Sequence, residues 1–236
     1  RGGWGYSRIP IFVVAGEYAR EEMKKEHGEA RVFHSMCHEM SHFWWLVAQP
    51  DSPGDWINEG LAEFSAFRLS EERYGERFAD RLVREYHQHS DSCRTTDSIA
   101  ETKSDSPDRY VNRYEKTALM FIEARRRFGR ESLDLFLKSL HARFARTQNA
   151  TTDLFLEEAG KRMGCDAREF FREELYRKWE TKPPQDELRR ESPVPWPDIF
   201  PDRAFTIPPI EFTQQEKVLS SIGAAPPSGL SGHLPP

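Results

Sequence analysis

Apolar residues recur at helical spacing through most of the chain. From about residue 17 to residue 179, apolar positions three and four apart predict helices. These predicted helices lie near residues 31–48, 56–74, 76–89, 111–128, 131–146, 151–163 and 167–179. Before them, the β-branched residues of 9–14 predict one short strand. The pattern therefore predicts an α+β domain that is mostly helical.

The last quarter of the chain has a different composition. Pro occurs at twelve positions between 183 and 236, and Pro removes backbone donors and interrupts regular helices. We therefore expect residues 1–180 to form one domain and residues 181–236 to form an extended or disordered tail.

Composition and charge exclude several classes of function. The 236 residues carry a net charge of −5 with basic and acidic residues interspersed, so no basic stripe indicates a nucleic-acid partner. No apolar run is long enough to cross a bilayer, which favours a soluble domain. The three cysteines, Cys37, Cys93 and Cys165, form no CxxC pair, and their odd number favours a reducing compartment such as the cytoplasm. Because the chain starts at Arg1, we expect it to be part of a longer protein with additional domains.

A possible metal site lies in the first long predicted helix, in the sequence His38-Glu39-Met40-Ser41-His42. Residues four apart lie on one helix face, so both imidazoles could bind one zinc ion. Glu39 is offset around the helix and could reach a water beside the metal, as a general base must. The alternative is a solvated helix face that carries two histidines. His34, one turn earlier, is expected behind the ligands or facing solvent.

A third ligand is expected because catalytic zinc sites combine three protein ligands with one open position. Glu59 lies in the first turn of the next predicted helix, after a turn-rich link at residues 49–55. Folded back on the first helix, it would complete a His-His-Glu site. The alternative is that Glu59 is only a favourable charge at a helix N-terminus. Asn58 and Glu63 are expected to support the ligands without binding the metal.

These motifs together resemble the gluzincin aminopeptidases, the family of membrane alanyl aminopeptidase and leukotriene hydrolase. That family combines HExxH with a Glu inside a W-x-N-E-G segment, here residues 56–60. The link from His42 to Glu59 is two residues shorter than is usual in the family. The resemblance implies a zinc cofactor, Glu59 as third ligand, and a catalytic domain that acts on peptides. It also implies a thermolysin-like (zincin) fold, in which a small N-terminal sheet remnant is followed by a helical lobe.

The resemblance also implies a residue that stabilises the oxyanion of the reaction. The family has a tyrosine in a Y-x-K-G segment, and Tyr114 and Lys116 match it, while Thr117 replaces the Gly. Tyr110, four residues earlier, is a competing candidate. A half-buried packing tyrosine is the alternative role for Tyr114.

The segment that binds the substrate's free amine is incomplete in this sequence. The family uses a Glu in a G-x-M-E-N segment, and the corresponding residues here lack a carboxylate. Glycines would still let a peptide backbone approach closely. The expected substrate-binding residues are Gly2, Gly3, Trp4, Gly5 and Tyr6. Glu17 or Glu63 could replace the missing carboxylate.

The sequence therefore predicts a zinc metallopeptidase, with an aminopeptidase that releases N-terminal residues as the first hypothesis. A peptidase that does not require a free amine is the second, because the amine-binding carboxylate is missing. An inactive peptidase-like scaffold that binds protein is the third. The complete motif argues against a scaffold, which has no need of Glu39.

Overall fold

A computed structural model describes residues 16–179, with side chains from residue 19 onward. Its elements are α1 (Gly16–Met23), α2 (Gly28–Ser41), α3 (Trp56–Tyr74), α4 (Glu76–Asp91), a π-helical segment (Val111–Lys116) continuing into α5 (Thr117–Phe128), α6 (Arg130–Phe144), α7 (Thr152–Met163) and α8 (Cys165–Tyr176). The predicted predominance of helix is confirmed. The predicted strand at residues 9–14, the segment 2–6 and the tail at residues 181–236 lie outside the described residues. Between residues 16 and 179, no helix is long and apolar enough to span a bilayer.

Helix α3 is the central element of the described part of the chain. It packs against α2, α4, α5 and the π-helical segment. A helix enclosed on most of its surface needs apolar or small residues all round rather than along one stripe. Five of its large apolar side chains are almost completely buried, namely Trp56, Ile57, Leu61, Phe64 and Phe67. The helix that carries Glu59 is therefore firmly held.

Helices α5 to α8 form a lobe around a cluster of aromatic rings. The rings of Phe121, Phe136, Phe155 and Phe171 lie 5.2–6.1 Å apart between centroids. Trp56, the first residue of α3, packs edge-on against Phe155 at 4.9 Å, and such pairs stabilise beyond their buried area. The lobe therefore anchors the start of α3, three residues before Glu59.

Helix α2 is shorter than predicted, because it ends at Ser41 and not near residue 48. The backbone N–H groups of Val47 and Ala48 donate to Asn58 Oδ1, at 2.9 and 3.0 Å. The carbonyl of Val47 also accepts from the backbone N–H of Ala150 at 3.0 Å. These contacts hold the link in a non-helical path against α3, and they satisfy backbone groups that a longer helix would have paired internally.

Gly60 allows α3 to approach the start of α5 closely. A Cβ atom on Gly60 would lie 2.0 Å from Cγ2 of Thr117, 2.5 Å from its Cβ and 3.2 Å from the carbonyl oxygen of Arg113. Distances this short require the helices to separate. The small residue beside Glu59 therefore sets the spacing between α3 and the segment that carries Tyr114.

We expect Gly60→Ala to destabilise the protein by about 1–3 kcal/mol, the usual cost of overpacking. Thr117→Gly removes the two nearest atoms, so the double variant should recover part of that loss. Urea unfolding of the four proteins gives the coupling energy, which should exceed the ~0.5 kcal/mol seen for independent sites. Simple additivity of the two single changes would show that the two residues do not compete for this space.

Candidate active site and metal centre

Helix α2 brings His38 and His42 onto one face. Although α2 ends at Ser41, His42 keeps helical backbone angles (φ −63, ψ −16) and stays one turn from His38. The two rings lie 5.0 Å apart between centroids and are nearly perpendicular, at 83°. This arrangement lets both imidazoles direct a nitrogen to a common point.

Glu59, on the first turn of α3, faces both histidines. Its Oε2 lies 3.5 Å from Nε2 of His38 and 3.2 Å from Nε2 of His42. Ligand atoms about 2.0–2.1 Å from one tetrahedral zinc ion are separated by roughly 3.3 Å. The observed distances bracket that value, and the three ligand atoms all lie within 4.8 Å of one another. The predicted His-His-Glu cluster is thus assembled in the structure.

The donor atoms of this cluster fit a metal ion. Oε2 of Glu59 is buried and has no hydrogen-bond partner, and a buried carboxylate oxygen without a partner is costly. A cation bound between the three residues would satisfy it. Two imidazoles and one carboxylate are a donor set that catalytic zinc uses. Elsewhere in residues 16–179, no group of His, Cys, Asp and Glu has comparable spacing.

The three side chains of the cluster differ in their exposure to solvent. Side-chain exposure rises from 8% at His38 to 15% at Glu59 and 26% at His42. Glu39, adjacent to His38 in α2, is also partly exposed. His38 is thus the most deeply buried of the three side chains, and His42 is the most exposed.

Burial and charge act in opposite directions on the ionisable groups of the cluster. Burial tends to raise the pKa of Glu59, but the adjacent His38 and His42 lower it well below its usual range. Burial tends to lower the pKa of His38, but the carboxylates of Glu59 and Glu63 raise it to about 10. The negative groups around His38 therefore favour positive charge at this position, which a bound metal ion would also supply.

Glu63 lies behind His38, one turn along α3 from Glu59. Its Oε2 accepts a hydrogen bond from Nδ1 of His38 at 2.7 Å, and its Oε1 contacts Nε2 of His34 at 2.9 Å and accepts from the Tyr86 hydroxyl at 2.5 Å. With both oxygens in use and its side chain buried, Glu63 is not placed to bind a substrate amine. Sequence reasoning missed Tyr86, because it lies on α4 and no spacing connects it to the motif.

Asn58 ties the start of α3 to the link that follows α2. Besides accepting from Val47 and Ala48, its side-chain amide donates to the carbonyl oxygen of Ala48 and to Oδ1 of Asp55, both at 3.0 Å. All polar atoms of this buried side chain are thus bonded to the link between α2 and α3. The shortened link is tied directly to the turn of α3 that carries Glu59.

The ring of Tyr114 stacks on that of His38, nearly parallel at 7° with centroids 5.2 Å apart. Burial, followed by the charge of Glu59, raises the pKa of Tyr114 well above its usual value, so its hydroxyl remains a hydrogen-bond donor at neutral pH. Tyr110, the competing candidate, packs against Tyr114 with centroids 4.7 Å apart. The structure thus places Tyr114 in contact with the cluster.

Tyr114 lies in the π-helical segment, which the sequence pattern did not distinguish from the start of α5. The hydroxyl of Thr117 donates to the carbonyl oxygen of Asn112 at 3.1 Å, five residues earlier. π-Helical turns are rare and are frequent at functional sites. Tyr114 thus lies in a wider turn that directly precedes Thr117, the residue against which Gly60 packs.

The predicted amine-binding segment cannot be placed in the structure. Residues 2–6 lie outside the described residues, and Glu17 is described only as a backbone position in α1. The assignment of Gly2, Gly3, Trp4, Gly5 and Tyr6 to substrate binding stays a prediction.

Comparison with solved structures shows a shared fold. The chain resembles an M1 zinc metallopeptidase from Deinococcus radiodurans, with 17% identity and a TM-score of 0.55. It also resembles a mutant M1 zinc metallopeptidase from the same organism, bound to a Tyr-Ser-Ala substrate, with 16% identity and a TM-score of 0.55. A mutant two-domain M1 zinc metallopeptidase bound to L-tryptophan has the same identity and TM-score. Each match covers 63% of this chain and 34% of the other, so the chain spans about a third of the length of these structures.

Comparison by sequence identifies the family. No curated protein matches the chain significantly. The family model described as the peptidase family M1 domain matches residues 15–174. This match covers more than half of the chain and includes the His38-to-His42 motif, Glu59 and Tyr114. The chain therefore belongs to peptidase family M1.

Proposed function

We propose that this chain is the metal-binding catalytic region of a zinc metallopeptidase, with His38, His42 and Glu59 as the zinc ligands. Membership of family M1 indicates zinc as the cofactor. The observation that carries the assignment is the buried Oε2 of Glu59, which lacks a hydrogen-bond partner and lies 3.5 and 3.2 Å from the two histidine nitrogens. Three protein ligands leave a fourth position open for chemistry.

Glu39 is proposed as the general base and acid. Zinc, when bound, supplies a Lewis acid that polarises a carbonyl and lowers the pKa of water. Glu39 follows His38 directly in α2 and is partly exposed beside the cluster. In this position it takes a proton from the attacking water and passes it to the amine that leaves when the peptide bond breaks.

Tyr114 is proposed to stabilise the oxyanion. Its stacking on His38 holds the ring beside the ligand cluster, and its raised pKa keeps the hydroxyl protonated. A neutral donor fixed at the site can stabilise negative charge that develops on the substrate carbonyl oxygen, without reorganisation during the reaction.

The substrate class follows from the family resemblance. We propose an aminopeptidase that releases N-terminal residues from peptides, with residues 2–6 lining the substrate site. The chain spans about a third of the length of its structural relatives, and we propose that further domains of a longer protein contribute to the substrate site. The second hypothesis, a peptidase that does not need a free amine, is favoured by two observations. Residues 2–6 lack a carboxylate, and the carboxylate of Glu63 is fully engaged.

A comparison of one peptide with its N-acetylated form separates these two hypotheses. An aminopeptidase loses a charge-assisted contact worth about 1.5–3 kcal/mol when the amine is blocked, so kcat/KM should fall at least about tenfold. The matched control is the same peptide amidated at its C-terminus, which should be cleaved as fast as the parent. Equal cleavage of the free and acetylated peptides would exclude the aminopeptidase and leave the second hypothesis. Absence of hydrolysis in zinc-loaded protein would indicate the inactive scaffold.

A further inference from the structure

Behind the proposed zinc site lies a buried hydrogen-bonded group that joins three helices. It consists of His34 on α2, Glu63 and Ser70 on α3, and Tyr86 on α4, and we call it the Glu63 network. Each of these residues is at most 9% exposed. Polar groups this deep must be fully paired to be tolerated, so their mutual geometry is tightly constrained.

The directions of the hydrogen bonds follow from the chemistry of the partners. An ionised carboxylate can only accept, so the Tyr86 hydroxyl, Nε2 of His34 and Nδ1 of His38 all donate to Glu63. The Ser70 hydroxyl lies 3.1 Å from Nδ1 of His34 and pairs the second nitrogen of this ring. Tyr86 and His34 thus both bind Oε1, which leaves Oε2 for His38 alone.

This arrangement determines how His38 is presented to a metal. A hydrogen bond from Nδ1 to Oε2 of Glu63, at 2.7 Å, places the ring proton on Nδ1 and leaves the lone pair on Nε2. Nε2 is the atom that faces Glu59. Partners outside the ligand shell that orient a histidine in this way typically contribute 10–100-fold to metal affinity.

We propose that Tyr86 and His34 are positioning residues for the zinc site, because they hold the Glu63 carboxylate in the orientation that fixes the His38 ring. Neither residue touches the metal, and both act through Glu63. The proposal rests on the proposed function, since it assumes that His38 binds zinc.

The test is zinc affinity, measured by competition with a chromophoric chelator on the folded protein. Tyr86→Phe keeps the ring and removes only the hydroxyl, so we expect about tenfold weaker binding. Tyr74→Phe is the matched control. The Tyr74 hydroxyl is exposed and bonds to Arg73 and Glu29 at the surface, so its removal should leave zinc affinity unchanged. Unchanged affinity in Tyr86→Phe would overturn the proposal for Tyr86.

Variants of His34 provide a rescue experiment. The amide nitrogen of a glutamine can replace Nε2 of His34 as a donor to Glu63, whereas leucine offers no donor. His34→Gln should therefore retain most of the zinc affinity and His34→Leu should lose about tenfold. Equal losses in both would show that His34 only fills space.

A double-variant comparison tests whether Tyr86 acts through Glu63. In a Glu63→Gln background, the further change Tyr86→Phe should weaken zinc binding much less than it does in the unmodified protein. An equal loss in both backgrounds would contradict the proposed route. The proposed function is tested separately, by the unmodified protein. If that protein binds zinc and cleaves peptides, the proposed function stands whatever the Tyr86 variants do. Unmodified protein that binds no zinc overturns both proposals.

Discussion

Glu39→Gln is expected to lower kcat for peptide hydrolysis by about 10²–10⁴-fold, the usual contribution of a positioned general base and acid. Glutamine has nearly the same shape as glutamate but cannot take up a proton from the attacking water. Because Glu39 is not one of the three proposed ligands, zinc content should remain close to one ion per chain. The measurement is kcat on a short peptide, together with metal analysis of the same sample.

The control for this change is Glu29→Gln, which makes the same substitution at an exposed position in the first turn of α2. Its kcat should match that of the unmodified protein. Full hydrolysis by the Glu39→Gln protein would refute the proposed role of Glu39. A loss of activity accompanied by loss of zinc would place Glu39 among the groups that hold the metal instead.

Glu59→Gln is expected to weaken zinc binding by more than the 10–100-fold typical of residues outside the ligand shell. The substitution removes the negative charge that faces both histidines at 3.5 and 3.2 Å. The stabilisation of a folded protein by zinc grows with the logarithm of the ratio between the free zinc concentration and the dissociation constant. It reaches about 4 kcal/mol when that ratio is about a thousand. Added zinc should therefore raise the thermal unfolding temperature of the unmodified protein and have little effect on Glu59→Gln.

The matched control is Glu71→Gln, on the same helix. Glu71 forms a partly exposed ion pair with Arg125 at 2.6 Å, far along α3 from the cluster. This variant should keep the response to zinc, although its metal-free stability can fall slightly. If Glu59→Gln kept the same zinc-dependent rise as Glu71→Gln, Glu59 would not be a ligand.

The positions of most helices could be predicted from the sequence, because their apolar spacing reflects which face is buried. The bounds of α3 agree with the predicted 56–74. The predicted end of α2 near residue 48 was wrong, because the backbone of Val47 and Ala48 pairs with Asn58 and Ala150 outside the helix. The π-helical segment was also missed, since apolar spacing does not distinguish a π turn from an α turn.

In the candidate site, too, features set within one helix could be predicted, whereas contacts between helices were harder to predict. The spacing of His38 and His42 is a property of one helix, so one turn of sequence was enough to predict it. Glu59 required a second helix to fold back, and its motif and the turn-rich link indicated this. Tyr86 could not be predicted, because its contact with Glu63 depends on how α4 packs on α3. The tight packing of Gly60 against Thr117 likewise became visible only in three dimensions.

The central claim is that His38, His42 and Glu59 hold one catalytic zinc ion. Anomalous diffraction at the zinc edge, from crystals of zinc-loaded protein, locates the metal independently of any activity. The account predicts one peak, about 2.0–2.2 Å from Nε2 of each histidine and from the carboxylate of Glu59. A peak bound by other residues, or no peak in zinc-loaded crystals, would contradict it.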